Sequence, residues 1–187
     1  MRKACILGLT AIGTSIFIAQ ADIIPSLSSV TGSSPNFTWN YSANVTVNET
    51  INTGDFFTIY DFSSIMPTTH NQPSGWTFST ALLGPTPSLV SPIDNANLWN
   101  VTWTYTGTAP IVGAQALGIF SVVASTDQLK LGQFTAEATR SNDPTQTKID
   151  NIGNVSVPVP ESTSLLPLIG VCAIALFFAP RLQRQRA

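Results

Sequence analysis

Residues 36–51 read NFTWNYSANVTVNETI. Phe37, Trp39, Tyr41, Ala43, Val45, Val47 and Ile51 alternate with Asn36, Thr38, Asn40, Ser42, Asn44, Thr46, Asn48 and Thr50. A period of two is the signature of a strand with one face buried and the other polar, because successive side chains of an extended chain point to opposite sides. The window is longer than most strands, so a bend or bulge is expected near residues 42–44.

The same alphabet recurs on both sides of this run. Residues 55–62 (DFFTIYDF) carry apolar side chains on both parities, as in a strand covered on both faces, and Gly54 supplies the turn ahead of them. Residues 63–75, with Pro67, Pro73 and Gly75, read as a loop; 76–83 read as a short strand; 84–92 (GPTPSLVSP) read as a proline-punctuated connection. Trp99, Val101, Trp103 and Tyr105 oppose Asn100, Thr102, Thr104 and Thr106 in another half-buried strand. In 111–125, the glycines and the β-branched Ile119, Val122 and Val123 argue for strand over helix, broken near Gly113. Residues 133–140 alternate again, and 148–157 form a last strand expected to be interrupted at Asn151 or Gly153. Upstream, the Ser-rich 22–35 reads as a leader contributing at most an edge strand. Seven or eight strands with Gly/Pro turns and no helix predict an all-β fold, an antiparallel β-sandwich.

Composition narrows the chemistry. Both cysteines, Cys5 and Cys172, lie near the chain ends, so disulfides and cysteine metal sites are excluded from the body. Residues 22–159 hold Lys130, Arg140 and Lys148 against nine acids, a balance of −6 that repels nucleic acid and anionic lipid. His70 is the sole histidine and sits in PTTHNQP, a context without triad neighbours. Asp94-Asn95, Asp143 and Asp150-Asn151 offer oxygens to a cation but form no calcium-loop pattern, and Asp-Asn pairs commonly cap turns. No metal, cofactor or catalytic residue is therefore assigned, and the chain is read as a non-enzyme. Glycosylation acceptor patterns occur at Asn36, Asn40, Asn44, Asn48, Asn100 and Asn154, which a plain polar strand face also explains. Trp39, Trp99 and Trp103 share parity with the aliphatic side chains of their strands and are expected in the core. The direction of Trp76 is open.

The two ends carry addresses. Arg2 and Lys3 precede the apolar run 4–19, and Ala19-Gln20-Ala21 has the small-x-small form cut by signal peptidase, so residues 1–21 read as a signal peptide with Ala19 and Ala21 at the cleavage site. At the other end, residues 157–162 read VPVPES, an apolar run follows, and Arg181, Arg184 and Arg186 close the chain. The uncharged run 165–180, extended to 163, is a short transmembrane helix, and arginines beside a span stay in the cytoplasm. Both ends place the body outside.

Pro160-Glu161-Ser162, the following apolar helix and the terminal arginines together resemble the PEP-CTERM sorting signal of exported bacterial proteins, with Ser162 where that motif has its second proline. The resemblance implies processing near Pro160, Glu161 and Ser162 by the membrane enzyme exosortase, with Arg181, Arg184 and Arg186 orienting the helix. It also implies association with exopolysaccharide and biofilm. The expected organisation is a signal peptide (1–21), an exported β-sandwich (22–156) and a sorting signal (157–187) with its transmembrane helix at about 163–180. Before processing the chain would be held in the membrane; afterwards it would be a structural or interaction component of the cell surface or extracellular matrix. A carbohydrate-binding module is the alternative.

Overall fold

The computed structural model describes residues 23–159. The expected signal peptide and the expected membrane helix both lie outside them. Within this range the chain forms β1 (Ile23–Ser33), β2 (Asn36–Val45), β3 (Glu49–Ile51), β4 (Phe56–Phe62), β5 (Ile65–Asn71), β6 (Trp76–Ala81), β7 (Trp99–Tyr105), β8 (Ile111–Val112), β9 (Gln115–Ala124), β10 (Leu129–Arg140) and β11 (Lys148–Pro158). The fold is all-β, in two antiparallel sheets. One has the order β1-β2-β9-β5. In the other, β6-β7-β4-β10 continues through β3 to β8, and β11 pairs with β10. The sheets face each other across an aromatic core: the Phe57 ring of β4 meets Phe120 of β9 edge-on at 5.0 Å, and Trp39 of β2 meets Phe62 of β4 at 5.9 Å. A hydrogen bond from the Tyr41 hydroxyl of β2 to the Ser156 carbonyl of β11 (2.9 Å) also links the two sheets, and Trp39 Nε1–H donates to the Thr126 carbonyl in the connection after β9 (3.0 Å).

Eleven strands stand where the sequence predicts seven or eight, and each difference has a local cause. The expected leader is the full strand β1, paired with β2 from Ile23↔Val45 to Ser33↔Asn36; its serines lie on an exposed edge, where alternation is not enforced by burial. The expected loop 63–75 contains β5, a mostly exposed edge strand that pairs with β9 through a shift between Met66 and His70 that admits Pro67. The long run 36–51 divides into β2 and β3, because Thr46 to Asn48 turn over and the Glu49 N–H donates to the Thr46 carbonyl (3.3 Å). Val47, expected in the core, is consequently 69 % exposed. The bulge expected near 42–44 is present, with β2 and β9 shifting register between Ala43 and Asn44. The break at Gly113, where φ is 82°, separates β8 from β9. By contrast, β11 pairs with β10 without interruption through Asn151 and Gly153. At Gly153 the close approach explains the glycine, since a Cβ there would meet the Phe134 ring at 2.6 Å.

The two outer faces differ. β1, β2, β5 and β9 contain no Asp, Glu, Lys or Arg, so the four-stranded sheet is uncharged and presents hydroxyls and amides such as Ser26, Asn40, Ser42 and Ser121. The outer face of the other sheet is crossed by the proline-rich connection between β6 and β7. The Pro85 carbonyl accepts from the Thr58 and Tyr60 hydroxyls (both 3.0 Å), the Leu89 N–H donates to Asp150 Oδ2 (2.7 Å), and the Ile93 N–H donates to Gln133 Oε1 (2.6 Å). This cover explains why β4 is apolar and buried on both parities.

Candidate functional sites

The residues expected to have sorting roles, Pro160, Glu161 and Ser162 with Arg181, Arg184 and Arg186, and the expected signal-peptidase pair Ala19 and Ala21, lie outside the described residues. What is described is their point of departure. Val157 and Pro158 belong to β11, opposite Lys130 and Leu129. The Ser63 hydroxyl donates to the Pro158 carbonyl, and the Val159 N–H donates to Gln128 O (2.8 Å). The Pro160-Glu161-Ser162 motif therefore follows directly on backbone held by the folded edge.

His70 lies on β5. Its ring stacks on Phe78 of β6 at 4.2 Å and 21°, joining the edge strands of the two sheets, and its Nδ1 is 3.0 Å from Gln72 Oε1. A cleft of about 120 Å³ beside it is lined by Thr38, Thr69, Asn71, Ser121 and Val123, and no carboxylate lines it. The acids considered for a cation are dispersed. Asp94 Oδ2 accepts from Asn100 Nδ2 (2.9 Å), Asp61 Oδ1 accepts from the Asn95 N–H (2.9 Å), and Asp150 pins Leu89. Asp143 caps its own turn, and the hydroxyls of Thr145 and Thr147 hold its carboxyl well below the usual carboxylate range. Among the described residues, no group of three or more His, Cys, Asp or Glu side chains is placed to hold a metal.

Trp39 and Trp103 are fully buried, as expected, and Trp76 joins them against Phe57 and Phe120. Trp99 corrects the expectation: it is 42 % exposed. β6 ends its pairing at Ala81↔Asn100 and so offers Trp99 no neighbour, and a register shift between Ile59 and Phe62 disturbs the other side. Three of the four tryptophans are thus spent on the core, leaving no coplanar set for sugar stacking. The acceptor asparagines divide as well. Asn36, Asn44, Asn48 and Asn154 are exposed, while Asn100 is fully buried, accepting from the Asp61 N–H (3.0 Å) and donating to Asp94 and Leu82.

One cluster escaped the sequence reading. Asp55, just before β4, is wholly buried. Its Oδ2 accepts from the Asn52 N–H (2.8 Å) and the Thr139 hydroxyl (3.1 Å), which also lies 3.4 Å from Oδ1. Lys148, the first residue of β11, reaches across β10 so that its Nζ contacts Asp55 Oδ1 and lies 3.7 Å from Glu137 Oε1. Burial raises the Glu137 carboxyl above its ordinary range, Lys148 pulls it down, and Asp150 and Asp55 raise it further. Three strands separated by up to 93 positions in sequence bring these groups together, which no local pattern announces.

No family model matches the chain, and no curated protein matches it.

Proposed function

We propose that this is an exported bacterial protein of the cell surface or extracellular matrix, structural or interactive in role. In this reading residues 1–21 direct export, and the helix at about 163–180 holds the chain in the membrane until exosortase cuts near Pro160, Glu161 and Ser162. The released domain then associates with exopolysaccharide. The observation that carries the proposal is the sequence order of the tail, in which a Pro-Glu-Ser motif, an uncharged run and a terminal arginine cluster follow on the last strand. An uncharged hydroxyl and amide sheet face supports a role in contact with neutral polymers or neighbouring proteins over one in nucleic-acid binding. The carbohydrate-module alternative loses its main support with the burial of Trp39, Trp76 and Trp103.

The test is the mature C-terminus. Mass spectrometry of the product exported by a host with exosortase should find no peptide beyond about Ser162, and deletion of the enzyme should leave the protein in the membrane. A secreted form that still carries the terminal arginines would sink the proposal.

A further inference from the structure

We propose that Lys148 and Asp55 condense into an intramolecular amide, with Glu137 carrying the proton, so that β11 is covalently tied to the start of β4. The inference is independent of how the tail is processed. It rests on three placements. Asp55 is fully buried and in contact with the Lys148 ammonium. Glu137, two residues before Thr139 on the same face of β10, lies against that ammonium at 3.7 Å; Thr139 is opposite Lys148 in the ladder, and Glu137 is also opposite Phe56, the neighbour of Asp55. Finally, Asp55 Oδ2 faces two donors, the Asn52 N–H and the Thr139 hydroxyl.

These placements divide the two carboxyl oxygens by role. Asp55 is fully buried, so bulk water is kept from its carboxyl. A proton passes from the Lys148 ammonium to Asp55 Oδ1, with which it is in contact, and the freed lone pair attacks Asp55 Cγ. The displaced carbonyl electrons settle on Oδ2, where the backbone N–H and the hydroxyl receive the developing charge as an oxyanion hole does. On collapse the C=O re-forms at Oδ2 and the bond to Oδ1 breaks. Oδ1 leaves as water with the proton it already holds and a second one that Glu137 takes from Nζ and delivers to it. One ammonium and one carboxylate thus become one amide and one water, Glu137 ends as it began, and no oxidant or co-reactant is consumed. Fixing nucleophile and carbonyl in one folded geometry supplies an effective molarity on the order of 10⁵–10⁸ M, which replaces chemical activation of the acid. The raised carboxyl of Glu137 suits a group that must accept and return a proton. The Lys148 side chain is 42 % exposed, so the water formed has a way out.

The purified full-length chain is digested after denaturation and mapped by mass spectrometry. The wild type should yield a branched peptide joining the segments around Asp55 and Lys148 at their summed mass less one water, with trypsin cleavage after Lys148 lost. Complete cleavage after Lys148 and a full linear mass would overturn the proposal and leave a plain ion pair. Lys148→Arg, which keeps the charge but not the nucleophile, should be linear. Glu137→Gln should also be linear with its strand circular dichroism retained, and a linked Glu137→Gln protein would overturn the role given to Glu137.

Discussion

Trp99 and Trp103 lie on one parity of one strand, and residue chemistry alone gives them the same fate. Trp103 is enclosed by Phe57, stacked at 5.2 Å, and by Phe78 and Phe120, whereas Trp99 sits past the end of β6. Trp103→Ala should therefore cost about 3–5 kcal/mol, the range for emptying a buried aromatic site. Trp99→Ala should cost under about 1 kcal/mol, in keeping with a surface substitution that removes little packing. Urea midpoints of the two variants measure both; equal losses would show that Trp99 is enclosed after all. Asn100 teaches the converse lesson. Its acceptor pattern and its position in a polar alternation suggest a solvent-facing residue, but the connection between β6 and β7 covers it. Its side chain then satisfies the backbone at Asp61, where φ is 56°, together with Asp94. Burial of a polar side chain is tolerable there because its partners are in place.

At the scale of elements, legibility followed burial. β2, β4 and β7 were readable because at least one face of each is fixed against the core. β1 was legible only as a leader with an edge strand, which is its place in the sheet, and β5 was not legible at all, since an edge strand with solvent on one side and few neighbours keeps its shape through ladder hydrogen bonds that any residue type can make. The connection between β10 and β11 is readable in another way: Asp143 accepts from the Thr145 N–H (2.9 Å) and hydroxyl (2.6 Å) and from the Thr147 N–H (3.2 Å). These donors favour the ionised carboxyl, so its folded pKa lies below the ordinary 3.8. The unfolded chain then binds its proton first as pH falls. The contribution of this turn is fully present above pH 3.8 and is lost as pH drops through the folded value. Carboxyl NMR should find Asp143 still ionised below pH 3.8, and Thr145→Val should move its midpoint up toward that value. An unshifted midpoint in the wild type would remove the cap from the account of this hairpin.

At the scale of the whole molecule, the pairing of strands and the partition of charge become visible together. Charged residues are spread along the chain, yet none falls in the four strands of one sheet, a segregation that exists only once β1, β2, β9 and β5 have come together. The Asp55, Glu137 and Lys148 cluster was illegible for the same reason, because it depends on the order β4-β10-β11 and on the Thr139↔Lys148 register. Residues 23–159 contain no cysteine. Among the described residues, buried aromatic and aliphatic side chains from both sheets form one core, with the Tyr41 and Trp39 side chains hydrogen-bonded to backbone carbonyls at its margin. That range has a size typical of one domain with its own core. A fragment of residues 23–159 should accordingly fold alone, giving a β-type circular dichroism spectrum and one cooperative thermal transition, both unchanged by EDTA. A helical spectrum, or loss of structure on chelation, would mean that the sheets are held by something other than the packing described. If the amide between Lys148 and Asp55 forms in this fragment as well, boiling in detergent should leave the ring closed, and its electrophoretic mobility should differ from that of Lys148→Arg, because a covalent ring limits how far the unfolded chain can expand.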